Sequence, residues 1–265
     1  MEIPAEKWYS AVKKRSSRRQ YYNKVIEKRK WKALSELVKE LNNEFPGVRI
    51  KLVKRDIEDV FTGIVGRYGK VSGAPAYIAF IGDKNCNHIE EKIGYTGEAL
   101  ILEITSLGLD SCWISGSFDD REVYSDIKLK NAEKLFAISP LGYAEEKPTI
   151  SERILNAVIS SKNRLPLETL VLNDYDENIP RWVKTGLESA RLAPSAMNRQ
   201  PWRFWIGNDA VTVQLKGKNV DPKKSKRLDC GIAMLHLEVG AAKEGKRGEW
   251  EYLEGQNVAR FKLLN

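Results

Sequence analysis

Two short stretches of the 265-residue chain gather side chains able to do chemistry. The first, Arg15-Ser16-Ser17-Arg18-Arg19-Gln20-Tyr21, packs guanidinium forks and hydroxyl donors close together. Guanidinium forks match phosphate oxygens, and extended backbone would put Arg15, Ser17 and Arg19 on one side. Taken alone, the segment fits a solvated basic turn as well as an anion cradle. The second stretch is Ala193-Pro194-Ser195-Ala196-Met197-Asn198-Arg199-Gln200-Pro201-Trp202. Pro194 stops the helix before it, and the small residues let a flat ring approach the backbone. Asn198 can both donate and accept hydrogen bonds along the polar edge of such a ring. Taken alone, this stretch also fits a polar helix-to-strand loop.

The elements that must position these stretches alternate along the chain. Pro4 opens a helix that runs through Trp8, Ala11 and Val12 to Lys13-Lys14 and delivers the basic segment. Trp31, Leu34, Leu37, Val38 and Leu41 recur at helical spacing from Glu27 to Phe45, closed by Pro46-Gly47. Val48 to Val53 alternates as a strand does, Pro75 to Ile81 reads as a buried strand, and Glu90 to Leu107 as a long helix. Ser111 to Ile114 and Lys134 to Ser139 read as further strands, and Ile179 to Leu192 as a helix. The class is α+β, built from α/β layers.

Parts of this order recur. Arg181-Trp182 opens a helix as Lys30-Trp31 does, an apolar strand follows Pro201 as one follows Pro46, and Gly231-Ile232-Ala233 echoes Gly97-Glu98-Ala99. The expectation is an internal pseudo-dimer of two related lobes, residues 1–160 and 161–265.

Composition narrows the chemistry. Three widely spaced cysteines and two histidines disfavour both a disulfide framework and a metal site. His236 lies on an apolar helical face and reads as a satisfied core residue, Cys112 as a small buried one, and Asp119-Asp120 as a helix start. Lys and Arg total 44 against 36 Asp and Glu, a net charge of +8 that would suit a phosphorylated small molecule. The acidic residues are interspersed and no nucleic-acid-binding motif accompanies them, so nucleic acid is not the expected partner. The longest run without an ionic side chain, Val71 to Gly82, spans 12 residues, too few for a membrane helix. With no apolar leader after Met1, the expected compartment is the cytoplasm. The lysine-rich stretch from Lys216 to Arg227 reads as a solvated loop that can also serve as a lid.

Together the two opening stretches resemble the nitroreductase superfamily of flavoproteins. Arg15, Ser17, Arg19 and Tyr21 match that family's R-x-S-x-R-x-[FY] element, which grips the FMN phosphate, with Ser16 at a further contact position. Ala193, Pro194, Ser195, Asn198, Gln200, Pro201 and Trp202 match, without a gap, the A-P-S-x-x-N-x-Q-P-W element that lies against the isoalloxazine ring. Leu107 to Gly116 is similar to the strand and turn beside flavin N5, with Trp113, Ile114, Ser115 and Gly116 at the contact positions. Leu141 to Pro148 is similar to a G-Y-P-x-x-K-P stretch, and Lys162-Asn163-Arg164 to a late K-x-R segment that completes the phosphate site.

The resemblance implies a nitroreductase-like fold and an FMN-dependent oxidoreductase. NADH or NADPH would deliver hydride to N5, and a nitroaromatic or quinone-like molecule would take it in a ping-pong cycle. No catalytic side chain is required, because the flavin carries the redox step. Arg15, Ser16, Ser17, Arg19, Lys162 and Arg164 would hold the phosphate, and Pro194, Ser195, Ala196 and Asn198 the ring. Ordinary members keep the phosphate and A-P-S elements in one lobe and form homodimers. Here the two elements stand far apart, with only acidic residues around Asn173 to Asn178 where a second arginine set would be. The implied form is a monomer fused as a pseudo-dimer with one flavin per chain, open to further association. A flavin carrier without efficient turnover is the alternative.

Overall fold

The computed structural model describes residues 1–61, 71–116, 118–144, 163–173, 178–219 and 225–264. The chain divides into two compact units. Unit 1 holds Met1, Lys14–Ile89 and Leu100–Lys162, and unit 2 holds Glu2–Lys13, Glu90–Ala99 and Asn163–Asn265. Two pieces of unit 2 precede residue 160. Those pieces are most of helix α1 (Ala5–Lys14) and a middle stretch of helix α3 (Ile89–Ser106).

Unit 1 is built on an antiparallel sheet. Helix α2 (Lys28–Glu44) buries Leu34, Val38 and Leu41 at helical spacing and ends at Phe45, whose N–H still bonds the Leu41 carbonyl. Strand β2 (Val48–Lys54) follows and pairs with β3 (Ala76–Asp83), which pairs in turn with β5 (Glu133–Ala144). Two-residue strands β1 (Tyr21–Tyr22) and β4 (Asp110–Ser111) both join β5. Helix α4 (Asp120–Ile127) precedes β5 and is capped by Asp119, whose carboxylate accepts from the N–H groups of Arg121 and Glu122. Strand β3 is buried on both faces, so its sequence runs apolar where a one-sided strand would alternate. Tyr77, Ala79 and Ile81 face a cluster that includes Val60, Phe61, Val123, Ile127 and Ile138.

Pro140 shapes the edge of this sheet. Sequence reads Ser111 to Ile114 as one strand, but the ladder holds only at Asp110–Gly142 and Ser111–Leu141. Pro140 has no N–H to give at the next position, and Cys112 N–H turns instead to Ser139 Oγ at 3.1 Å. Pairing resumes at Ile114, which exchanges both backbone bonds with Ile138 at 2.9 and 2.8 Å. Between these points Trp113 leaves the ladder and stacks on Phe80 from β3, ring centroids 4.3 Å apart.

Unit 2 repeats the scheme. Short helix α5 (Leu167–Leu170) and helix α6 (Arg181–Arg191) lead to β6 (Trp202–Ile206) and β7 (Ala210–Leu215), then helix α7 (Lys226–Lys243), then β8 (Gly248–Tyr252) and β9 (Asn257–Leu263). Its sheet order is β6-β7-β9-β8, all antiparallel. Helix α7 is buried along nearly its whole length, which explains why its sequence shows no polar face. His236 on this helix has no exposed surface, donates from Nδ1 to the Ser189 carbonyl at 3.1 Å, and sets Nε2 2.9 Å from Glu98 Oε1. It is a satisfied core histidine. A Cβ at Gly94 would overlap the Leu228 carbonyl oxygen, and a Cβ at Gly231 the Glu91 carbonyl oxygen. The α3–α7 contact is thus reciprocal, with Gly94 on one helix and Gly231 on the other. None of the helices among the described residues is long and apolar enough to cross a membrane.

Candidate functional site

The basic segment belongs to unit 1 and leaves α1 as extended chain. Ser17 forms a parallel bridge with Ser111, and Arg18 N–H donates to the Ser111 carbonyl at 3.0 Å. Ser72 N–H donates to the Arg19 carbonyl, and Tyr21 N–H to that of Ser72, both at 3.0 Å. The Tyr21 hydroxyl reaches back to the Arg18 carbonyl at 2.6 Å. This backbone frame keeps residues 15 to 19 extended. Arg15, Ser17 and Arg19 are each half-buried, while Arg18 on the opposite side is buried and Ser16 is exposed.

The same frame brings the basic segment beside a second candidate region more than ninety residues away. Ser111, the bridge partner of Ser17, leads directly into the interrupted edge Cys112-Trp113-Ile114-Ser115-Gly116. Ile114 is buried, Trp113 and Ser115 are half-buried, and Gly116 is exposed. A Cβ added at Gly116 would meet no atom of the described residues within 4 Å.

The bend belongs to unit 2. Met197, Asn198 and Gln200 all take the left-handed region, at φ of 55°, 54° and 45°. Side chains with a Cβ resist that conformation, and its recurrence over four residues requires heavy support. Gln200 N–H donates to Ser195 Oγ at 2.9 Å, closing the bend. Gln200 Oε1 accepts from Leu165 N–H at 2.8 Å, and Asn198 Nδ2 donates to the Asn163 carbonyl at 2.8 Å. Arg164 Nη1 donates to Asn198 Oδ1 at 2.9 Å. The structure thus brings together Arg164, Ser195 and Asn198, while Lys162 lies outside the described residues, as do Glu145 to Pro148. Pro194 is buried and Ala196 half-buried.

One member of this framework has no motif to announce it. Asp229, in the first turn of α7 and 3% exposed, accepts from Ala196 N–H at 3.2 Å and from Arg199 Nε at 2.7 Å. Burial pushes its carboxyl up to about 6, against the pull of the Arg199 guanidinium and the Ala196 N–H. A carboxylate near the start of a buried helix was the available signal, and an N-terminal acidic residue ordinarily needs no further explanation.

The donor sets fit FMN as the resemblance implies it. Two guanidinium groups and hydroxyls spaced along one side of extended chain suit a phosphate monoester. An amide fixed at both ends beside small residues suits a ring with a polar edge.

The family model "Putative TM nitroreductase" matches residues 7–241. Curated protein sequences yield no match. Among solved structures, a "putative nitroreductase" of Thermotoga maritima superposes with a TM-score of 0.65 at 18% identity, over 97% of this chain and 93% of that one. An FMN-dependent nitroreductase of Clostridium difficile gives 0.45 at 21% identity, over 62% and 98%. A nitroreductase of Bacteroides fragilis with bound FMN gives 0.44 at 19% identity, over 54% and 91%. The Thermotoga likeness shows the fold, and the family match runs through both the basic segment and the bend. The chain belongs to this nitroreductase family.

Proposed function

We propose that this chain is an FMN-dependent oxidoreductase that moves hydride from NADH or NADPH to a nitroaromatic or quinone-like small molecule. Bound FMN supplies the chemistry, taking up and releasing hydride at N5 in two half-reactions. The chain supplies binding, orientation and a covered face. Arg15 and Arg19, with Ser16 and Ser17, hold the phosphate, and Lys162 and Arg164 add charge to it. Each charged hydrogen bond contributes about 1.5–3 kcal/mol. Trp113 and Ile114 would line the ring edge, and the N–H groups of Ser115 and Gly116 would supply donors to the ring atoms whose charge changes on reduction. Pro194, Ser195, Ala196 and Asn198 lie against the ring. Arg164 and the Asn163 carbonyl engage the two ends of the Asn198 amide, which fixes its orientation.

The observation that carries this reading is the hydrogen-bonded pairing of Ser17 and Arg18 with Ser111. It joins a phosphate-gripping segment to the strand edge that leads to Gly116. We further infer one flavin per chain in a fused pseudo-dimer, supported by the shared strand order of the two units.

The purified protein is expected to be yellow and to carry about one FMN per polypeptide. NADH or NADPH should bleach it without oxygen, and menadione or a nitrofuran should restore the colour with parallel-line kinetics. Colourless protein that refuses added FMN overturns the reading. A reduced flavin that these oxidants leave untouched would make the chain a carrier.

A further inference from the structure

The bend from Ser195 to Gln200 holds a shape that its own residues disfavour. Met197 and Asn198 sit side by side in the left-handed region, at a cost on the order of 1–3 kcal/mol each. Something outside the bend must fix the residues flanking them. Asp229 grips both flanks: Oδ1 accepts from Ala196 N–H at 3.2 Å and Oδ2 from Arg199 Nε at 2.7 Å. Ala196 immediately precedes the left-handed pair and Arg199 immediately follows it. The carboxylate itself is anchored, because it stands on the first turn of an 18-residue buried helix whose N-cap, Ser225, accepts from Arg227 and Leu228 N–H.

We propose that Asp229 is the positioning residue of the bend, holding Met197 and Asn198 in the shape in which Ser195 and Asn198 meet the ligand. The inference rests on the flavin reading for the identity of that ligand, but the clamp itself does not.

The clamp is titratable. Charged and ionisable groups around Asp229 are Arg199 from the bend, the buried Cys230 beside it on α7, and Arg227 and Glu91 where α7 meets α3. Only Arg199 is hydrogen-bonded to it, and desolvation outweighs that attraction, leaving the carboxyl near 6. Below that pH the protonated group keeps a weak bond to Ala196 and loses the charge-assisted bond to Arg199. In an opening that leaves Asp229 buried on α7, the bend should loosen in mild acid while the rest of unit 2 stays folded.

Two readouts test this on the full chain. Amide exchange at Ala196 to Gln200 without flavin, corrected for the intrinsic pH dependence, is expected to lose protection between pH 7.5 and pH 5. Asp229→Asn should show the low protection at both values. In parallel, the Kd for FMN should rise on the order of tenfold over the same interval in the natural chain, and be raised and nearly pH-independent in Asp229→Asn. Should that variant fail to fold, Arg199→Gln breaks the same bond from the half-exposed side and should also flatten the profile. Equal protection and equal FMN affinity in variant and natural chain at both pH values overturn the clamp. Protection that follows Asp229 in a chain with no affinity for FMN keeps the clamp and overturns the flavin reading.

Discussion

The two units share a plan and differ in where they break it. In unit 1 the strands run β2-β3-β5-β4, and in unit 2 β6-β7-β9-β8. In both, the first strand pairs the second, the second pairs the fourth, and the fourth pairs the third. Both second-to-fourth ladders also carry an irregularity, at Phe80/Ile81 and at Val213/Gln214. The third strand separates them. In unit 2 it is the five-residue β8, but in unit 1 it is the two-residue β4, cut short opposite Pro140. Unit 2 instead loses regularity before its first strand, in the left-handed run ahead of Pro201. Each candidate element sits where its own unit abandons the repeating hydrogen-bond pattern.

This contrast predicts unequal consequences for the two elements. Replacing both Arg15 and Arg19 with Ala should raise the Kd for FMN more than a hundredfold, since each charged contact contributes about 1.5–3 kcal/mol. Asn198→Ala should raise it only about tenfold, the loss of one or two neutral hydrogen bonds. Flavin fluorescence titration separates the two, and a larger loss from Asn198 would move the main binding energy to unit 2.

The next largest effect concerns the helices that answer each other. Gly94→Ala and Gly231→Ala should each destabilise the chain by about 3 kcal/mol in urea unfolding, because each Cβ meets a backbone oxygen that cannot move aside. Losses of similar size for the two are what reciprocal packing requires. If one substitution were harmless, the reciprocity would be broken on that side.

Such packing is where the sequence was least legible. Helix α2, strands β2 and β3 and helix α3 were readable within a residue or two, because their apolar spacing is set by burial on one face or both. The two motif stretches were legible as a family pattern only in conjunction, since each alone also fits a basic turn or a polar loop. Strands β7 and β8 were overlooked although Thr212 and Gln214, and Glu249 and Glu251, alternate with apolar positions as in a half-buried strand. The need for glycine at positions 94 and 231 was not legible either, because a close backbone approach between two helices leaves no pattern along the sequence. Asp229 was invisible for a related reason: it acts on Ala196 and Arg199, thirty residues and more away, through a fold that had first to exist.

Two buried or half-buried carboxylates extend the comparison to pH. In unit 1, hydrogen bonds from the Arg49 guanidinium to Glu133, at 2.7 and 2.6 Å, hold its carboxyl below the ordinary value despite burial. Its folded form binds protons less readily than the unfolded chain does, so it adds stability at neutral pH that is lost as pH falls through the lowered value. Asp229 in unit 2 has the opposite sign. With its carboxyl raised to about 6, ionisation costs stability at neutral pH, and that cost fades as pH falls from about 6 towards the unfolded value of 3.8. Urea titrations across this range should show Glu133→Gln losing part of the acid-side fall in stability, and Asp229→Asn losing a gain. Slopes of the same sign in both variants would contradict the two environments.

The smallest contrast lies at two helix caps. Asp119 accepts from Arg121 and Glu122 N–H at 2.8 and 3.4 Å, and its removal in Asp119→Ala should cost about 1 kcal/mol, the usual value for a cap. Ser225 accepts from Arg227 and Leu228 N–H at 3.1 and 3.2 Å, and it also donates to Glu90 Oε2 at 2.6 Å. Its hydroxyl therefore joins the start of α7 to the start of α3, which Asp119 does not do for any second helix among the described residues. Ser225→Ala should accordingly cost more than Asp119→Ala, by roughly the 1 kcal/mol of one further hydrogen bond. A double-mutant cycle with Glu90→Ala isolates that extra part, since the cap bonds survive in the Glu90 variant. A coupling near zero would reduce Ser225 to an ordinary cap and leave the glycine contacts, with the Arg227–Glu91 and His236–Glu98 pairs, to hold α3 against α7.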